Sequence, residues 1–158
     1  MKIIKNLAFV ALAALAVALL FQTSITQAGD QGHRDATATF RKWIVDFPPA
    51  GVIANMAGVV GGAVGDGIYT GEILTYNVID GVTKIDANYH FNGSKHSFTA
   101  LVHIEQTGLK AVIIGVVTDG WLKGHAVEGE YTQITCEHVG PTPDCFEGTL
   151  EIDRDSKD

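Results

Sequence analysis

Hydrophobic and polar residues alternate along the middle of the chain, and three glycine-containing pairs interrupt the alternation. A period of two is typical of a β-strand with one buried face. An Asn-Gly or Asp-Gly pair between two such segments predicts a tight hairpin, because glycine tolerates the positive φ that the turn requires. The pattern therefore predicts a four-stranded antiparallel meander. Its strands are Ile68–Ile79, Val82–Phe91, Ser94–Gln106 and Leu109–Thr118, joined at Asp80-Gly81, Asn92-Gly93 and Thr107-Gly108.

Further segments with the composition of strands flank this meander. The glycine spacing in Gly51–Gly67 matches neither the phosphate-binding loop nor the dinucleotide fingerprint, so we expect a strand with bulges or a barrel bend. His125–Thr135 and Cys145–Ile152 predict two more strands, and Phe40–Phe47 fits a short helix or a first strand that ends before Pro48. Seven or eight strands with short turns predict an all-β fold. We expect an antiparallel meander that closes into a barrel of about eight strands, with a two-sheet sandwich as the alternative.

The first 28 residues have the plan of a secretory signal peptide. Lys2 and Lys5 precede the apolar run Leu7–Phe21, and cleavage is expected before Gly29. The run is shorter than the roughly 20 apolar residues of a membrane span, and an uncleaved N-terminal anchor is the alternative. We therefore expect a secreted or periplasmic protein with no membrane contact after cleavage. The predicted organisation is a signal peptide over residues 1–28, a flexible segment over 29–42, a single barrel domain over 43–152 and a disordered charged tail over 153–158.

Charge narrows the range of partners. The formal net charge is −7, and cleavage of the signal peptide would remove Lys2 and Lys5 and make the chain more acidic still. Proteins that bind nucleic acid or anionic membranes usually carry a basic patch, because lysine and arginine supply most of the affinity for phosphate. The composition therefore argues against nucleic acid and membrane surfaces as partners.

Cysteine and histidine usage predicts a disulfide and no metal site. Cys136 and Cys145 both lie in the exported part of the chain, where an oxidising environment favours a disulfide. The alternatives are a redox pair or a zinc site with His138, and neither has the usual close spacing of cysteines. Five histidines do not form a metal-binding motif, so we predict no metal and no cofactor. They are His90, His96, His103, His125 and His138.

Treating each glycine-containing pair as a two-residue turn fixes the register of the meander. One face of the sheet is then apolar. It carries Leu74, Tyr76, Val78, Ile85, Ala87, Phe98, Ala100, Val102, Ile104, Ala111, Ile113 and Val117. The same register aligns a polar row of Glu72, Tyr89, His96 and Asp119 at one end of that face. In a barrel the row would lie at the mouth of a cavity, where His96 could act as a base or hydrogen-bond anchor. The alternative is an exposed row of strand ends without a role.

Two glycine-rich stretches resemble the barrel family of allene oxide cyclases and the related dirigent proteins. These stretches are Val64–Glu72 and Gly115–Gly124, which pair a Gly-x-Tyr strand opening with a glycine-rich turn that contains an aromatic residue. The resemblance implies an eight-stranded antiparallel barrel with an apolar cavity, often in oligomers. Some members of that family cyclise a lipid epoxide and others steer radical coupling. The resemblance assigns no catalytic set residue by residue.

Three functional hypotheses follow. The first is an exported barrel that binds a small apolar ligand in its cavity. That cavity would be lined by Tyr76, Ile85, Phe98, Val102, Ile113 and Val117. The second is an enzyme of the cyclase or isomerase kind, in which Glu72, Tyr89, His96 and Asp119 are catalytic. The third is a structural protein of the cell exterior that associates with itself as a homo-oligomer. The sequence alone does not decide whether the protein is an enzyme.

Overall fold

The computed structural model describes residues 35–137 and 140–155, which form one closed antiparallel sheet of eight strands. The strands are β1 Ala36–Asp46, β2 Ala54–Gly62, β3 Gly67–Ile79, β4 Val82–Gly93, β5 Ser97–Thr107, β6 Lys110–Gly120, β7 Ala126–Thr135 and β8 Asp144–Ile152. Each strand pairs with its neighbours in the chain, and β8 pairs with β1 to close the barrel. The predicted all-β barrel is confirmed, and the sandwich alternative is wrong. The predicted signal peptide and His138 lie outside the described residues.

The barrel begins earlier in the chain than predicted. β1 starts at Ala36, inside the segment expected to be flexible up to residue 42, and it pairs with both β2 and β8. Phe40–Phe47 is therefore largely strand rather than helix. The small residues Ala36 and Ala38 gave no hydrophobic signal in the sequence, but the closed sheet buries both. At the other end, the Asp153 amide donates to the Ala126 carbonyl, while residues 156–158 lie outside the described part of the chain.

The apolar and polar faces of the central strands are largely as predicted, but their register is not. β4 and β5 are joined by a three-residue loop that contains His96, so Tyr89 lies opposite Ala100 rather than His96. Across β5 and β6, Ile104 lies opposite Ile113 rather than Ala111, because the turn falls one residue later. Both shifts move the pairing by an even number of residues, which keeps the side chains before the next irregularity on their predicted faces. A bulge where Thr99 gives way to Ala100 then places Asp119 opposite Thr99, on the outer face.

A bulge in β3 causes the main error in the predicted apolar face. The hairpin at Asp80-Gly81 has the expected positive φ at both residues, and Tyr76 lies opposite Ile85 as predicted. The register then shifts at Leu74, so that Ile73 and not Leu74 turns inward. Tyr76 and Val78 are exposed because they lie beyond the part of β3 that pairs with β2.

One end of the barrel is filled with aromatic side chains. We call Phe40, Tyr69, Tyr89, Phe91 and Phe98 the aromatic plug; all five are buried. The rings of Phe91 and Phe98 stack with centroids 4.6 Å apart, and those of Tyr69 and Tyr89 meet edge to face at 5.2 Å. An eight-stranded barrel is just wide enough for side chains to fill its interior. Among the described residues, the interior is therefore filled by side chains on the plug side, and a cavity lies towards the opposite end.

Cys136 and Cys145 form the predicted disulfide, with Cα atoms 5.8 Å apart. The bond joins the end of β7 to the start of β8. Both residues lie at the end of the barrel opposite the β4–β5 loop, because neighbouring strands run antiparallel. The disulfide thus fastens the rim that surrounds the open end. Among the described residues there is no helix with the length and hydropathy needed to cross a membrane.

Candidate functional site

The open end of the barrel contains a cavity of about 260 Å³. Its wall is a little more apolar than polar, and the polar residues besides lysine and tyrosine are Thr83, Gln106, Gln133 and Asp144. The apolar residues are Ile44, Met56, Ile73, Ile85, Ile104 and Phe146. The volume corresponds to about nine molecules of liquid water, and cavities slightly larger than this one hold small-molecule ligands in other proteins. Lys42 lines the cavity although its side chain is only 2% exposed, which places it at the inner end.

Lys42 lies at the boundary between the cavity and the aromatic plug. Its Nζ is hydrogen-bonded to the Tyr89 hydroxyl of the plug. The same nitrogen lies 4.1 Å from the centroid of the Tyr89 ring, 4.9 Å from that of Tyr131 and 5.7 Å from that of Phe146. The rings of Phe40 and Tyr69 complete the surroundings at 5.5 and 5.9 Å. Five aromatic rings therefore surround a single amine.

The strand register explains why a lysine reaches this position. In β1, inward residues alternate from Ala36 to Phe40, and Lys42 is the next in that series. It lies opposite Gly58 in β2. A Cβ at Gly58 would collide with the β1 backbone at Lys42, so glycine allows the two strands to approach closely there. The outward neighbour Arg41 is instead exposed, and its guanidinium donates to the Glu147 carboxylate at 2.5 Å.

Burial controls the ionisation of this site. Removal from water lowers the pKa of Lys42 well below its ordinary value, and no carboxylate among the described residues contributes to the shift. Burial also raises the pKa of the hydroxyls of Tyr69, Tyr89 and Tyr131. The site therefore favours a neutral amine next to protonated phenols. A neutral lysine amine has a free electron pair and can act as a nucleophile or a base.

A small polar network fixes the cavity wall next to Lys42. The Tyr131 hydroxyl donates to Gln106 Oε1 at 2.8 Å, and Gln106 Nε2 donates to Gln133 Oε1 at 2.8 Å. Gln106 Nε2 also donates to the Gly108 carbonyl at 3.0 Å. These bonds join β5, β7 and the turn between β5 and β6, and they hold the Tyr131 ring against the amine. The cavity thus offers fixed amide and hydroxyl groups together with its apolar wall.

The predicted polar row does not assemble. Tyr89 points into the barrel, but Glu72 lies opposite Asn88 on the outer face because of the bulge in β3. His96 belongs to the β4–β5 loop, where it stacks on Trp121 with centroids 4.0 Å apart. Asp119 is exposed, and its Oδ1 lies 3.8 Å from the Nζ of Lys123. The predicted alignment of the four residues is wrong. The hypothesis of a cyclase or isomerase was based on that alignment, so it loses its proposed catalytic residues.

The predicted cavity residues divide into two groups. Tyr76 and Ile85 line the cavity, as expected. The other four are buried in the packed core instead of lining the cavity, because the aromatic plug and its neighbours fill that part of the interior. They are Phe98, Val102, Ile113 and Val117.

Sequence reasoning missed Lys42 and Tyr131, the two polar residues closest to the inner end of the cavity. One signal in the sequence could have found Lys42. It follows Ala36, Ala38 and Phe40 at every second position of β1, which predicts that its side chain faces inward. Histidine, cysteine and carboxylate side chains form no group of three or more suited to a metal ion within residues 35–137 and 140–155.

Comparisons of the chain with protein-family models, with curated proteins and with solved structures found no match. The resemblance to allene oxide cyclases and dirigent proteins therefore stays a prediction, and the candidate site rests on the geometry alone.

Proposed function

We propose that this protein binds a small, mainly apolar molecule in the open-end cavity, with a polar group of the ligand directed at Lys42. The observation that carries the proposal is a fully buried lysine that no described carboxylate neutralises, at the inner end of an apolar cavity. Burial of an unpaired amine opposes folding, because the charged form loses its hydration. A side chain that only filled space would be apolar.

The cavity wall defines the kind of ligand that fits. Isoleucine side chains from several strands would contact an apolar body, while Gln106, Gln133 and Tyr131 offer hydrogen bonds beside it. The volume limits the bound part of the ligand to a small molecule or to one end of a longer chain. The disulfide supports a location outside the cytoplasm, since disulfides persist in oxidising compartments.

Binding can be tested by NMR with 1-hexanol as a neutral apolar probe. We expect chemical-shift changes at Ile44, Ile85 and Ile104. Ile44→Phe should fill the cavity and abolish these changes. Ile114→Phe is the matched control, because Ile114 is exposed on the outer face of β6. Absence of any saturable shift at the cavity, or equal effects of the two variants, would refute the proposal.

Self-association is a second candidate function, favoured by an apolar patch on the outer face of β5 and β6. Leu101, Val112 and Ile114 are exposed there, and Val112 is 63% exposed. Val112 and Ile114 occupy successive outward positions on β6. Leu101 on β5 pairs with Val116, the next outward position of β6. Isolated apolar residues are ordinary on a protein surface, whereas contiguous patches often mark interfaces. A second copy of this chain would present the same patch, which suits a two-fold dimer.

Size-exclusion chromatography with light scattering tests this second candidate. We expect a dimer that becomes monomeric when Val112 and Ile114 are both replaced by lysine. Val59→Lys on β2 is the control, because Val59 is similarly exposed but lies outside the patch. A monomeric wild-type protein at high concentration would exclude self-association.

A further inference from the structure

The proposed cavity contains a group that can do more than bind. We propose that Lys42 forms a reversible imine with the carbonyl carbon of a small apolar aldehyde bound in the open-end cavity. This inference rests on the proposed function and specifies its ligand class. It starts from the position of Nζ, which lies at the inner end of the cavity and contacts aromatic rings on both sides of the boundary.

The surroundings of Lys42 favour attack on a carbonyl. The amine is enclosed by five rings. Asp144 lines the same cavity, but burial causes the lowered pKa of Lys42 and no carboxylate contributes to that shift. Desolvation of lysine in an apolar pocket is one of the established ways to activate it as a nucleophile. The lowered pKa of Lys42 agrees with this geometry, since it raises the fraction of amine that carries a free electron pair.

Tyr89 is placed to move the protons that the reaction requires. The Lys42 nitrogen attacks the carbonyl carbon, a C–N bond forms, and the carbonyl oxygen takes up a proton to give a carbinolamine. The C–O bond then breaks, the nitrogen loses its second proton, and the oxygen leaves as water. The Tyr89 hydroxyl is hydrogen-bonded to Nζ and remains protonated because burial raises its pKa. It can give a proton to the departing oxygen and recover one from nitrogen.

The cavity also favours the imine once it has formed. Imine formation releases water, and the five rings around the buried Nζ limit the access of water that would hydrolyse the product. The imine nitrogen is neutral when unprotonated, so the adduct does not require a charge to be buried at Lys42. The aldehyde's apolar chain would extend past Ile44 and Ile85 towards the opening. A carboxylic acid would instead require the ammonium form that the site disfavours.

Reductive trapping tests the inference. The protein is incubated with hexanal and sodium cyanoborohydride at pH 7, which converts an imine to a stable secondary amine, and the modified lysines are identified by peptide mass spectrometry. We expect Lys42 to be modified about tenfold faster than the exposed Lys84, because its lowered pKa raises the fraction of neutral amine at pH 7. Lys84→Met is the matched control and should leave the modification of Lys42 unchanged.

The pH dependence separates a reactive amine from an accessible one. Modification of a lysine with the ordinary pKa rises about tenfold per pH unit between pH 7 and 9, whereas that of Lys42 should rise less steeply because its pKa is lowered. Ile44→Phe should reduce modification of Lys42 at least tenfold and leave Lys84 unaffected, which keeps the test decisive if Lys42→Met fails to fold. Tyr89→Phe should slow modification of Lys42, because it removes the hydroxyl that donates and recovers protons.

The outcomes distinguish the inference from the proposed function on which it rests. Hexanol binding without preferential modification of Lys42 overturns the imine and leaves the ligand cavity standing. Failure of both hexanol binding and Lys42 modification overturns both. Modification of Lys42 that matches the exposed lysines in rate and pH profile also overturns the inference, because it would show no activation by the site.

Discussion

Replacement of Lys42 by methionine should change the pH dependence of stability. The pKa of Lys42 in the barrel lies well below 10.5, its value in the unfolded chain. Between those two pKa values, the unfolded chain holds a proton that the folded barrel has released. The free energy of unfolding therefore rises with pH in this interval, by about 1.4 kcal/mol per pH unit for one proton. This contribution of Lys42 to the free energy of unfolding is complete above the pKa of the unfolded chain. It is lost as pH falls to the pKa of Lys42 in the folded barrel.

Lys42→Met removes this proton and keeps a side chain of similar length. The difference in unfolding free energy between wild type and variant should therefore shift by up to about 2.7 kcal/mol from pH 7.5 to pH 9.5. At pH 7.5 the variant should be the more stable protein, because methionine has no charge to desolvate. Measurements should stay below pH 10, where unfolded tyrosines begin to lose protons that buried Tyr69 and Tyr89 retain.

Urea unfolding followed by tryptophan fluorescence at four pH values gives the required difference. Lys84→Met provides the matched control, because the same change of charge occurs at an exposed lysine that contacts Glu105 at 2.8 Å. The difference in unfolding free energy between wild type and Lys84→Met should vary little between pH 7.5 and pH 9.5. A Lys42→Met difference that is constant with pH would show that the buried amine titrates as it does in the unfolded chain, and would refute the electrostatic reasoning.

Three further outcomes test other parts of the structure. Gly58→Ala should lower the free energy of unfolding by about 1–3 kcal/mol, because its Cβ would collide with the backbone of β1; urea titration measures this, and an unchanged midpoint would contradict the close approach. Replacement of Cys136 and Cys145 by alanine should cost about 2.5 kcal/mol, the loop-closure entropy of a nine-residue separation; full stability without the bond would contradict it. One hydrogen bond from His103 and a second from Thr75 lower the pKa of Asp86, so the stabilisation from this carboxylate is present above pH 3.8 and lost as pH falls further; NMR titration of His103→Ala should show a higher pKa for Asp86.

The fold could be predicted largely from local patterns. Alternation assigned most side chains of β4, β5 and β6 to the correct face. In a regular strand, the face that a side chain occupies depends only on whether its position is odd or even. Asp80-Gly81 also marked its turn correctly. The exact pairing could not be predicted in this way. The three-residue loop at His96 moves β5 along β4 without changing the alternation. The bulge at Leu74 instead reverses which residues of β3 face inward, and local alternation does not reveal it.

The candidate site could not be predicted because it depends on closure of the barrel. Lys42 belongs to a segment of small and mixed residues that resembles a frayed terminus. It becomes buried only when β1 pairs with β2 on one side and β8 on the other. Tyr89 and Tyr131, which contact it, come from distant parts of the sequence. Local reasoning identified Tyr89 as a polar residue on the inner face, but the predicted partners were wrong.

Arg41 and Lys42 together make the strongest case that the buried amine has a function. They are adjacent in one strand, and both carry a positive charge in the unfolded chain. The barrel exposes Arg41 to water and supplies it with a carboxylate from Glu147, but it buries Lys42 among aromatic rings. The exposed and paired charge of Arg41 therefore does not oppose folding. The burial of Lys42 opposes folding, because its charged form loses hydration.

Stability and reactivity measurements on the same variants would decide whether that unfavourable burial serves a function. If Lys42→Met is more stable at neutral pH and hexanal modifies the wild-type protein preferentially at Lys42, the lysine is retained for chemistry at the expense of stability, as active sites often are. If Lys42→Met is less stable at every pH, the hydrogen bond to Tyr89 and the ring contacts outweigh desolvation. Lys42 would then be a structural residue, and the case for an activated amine in the cavity would fail.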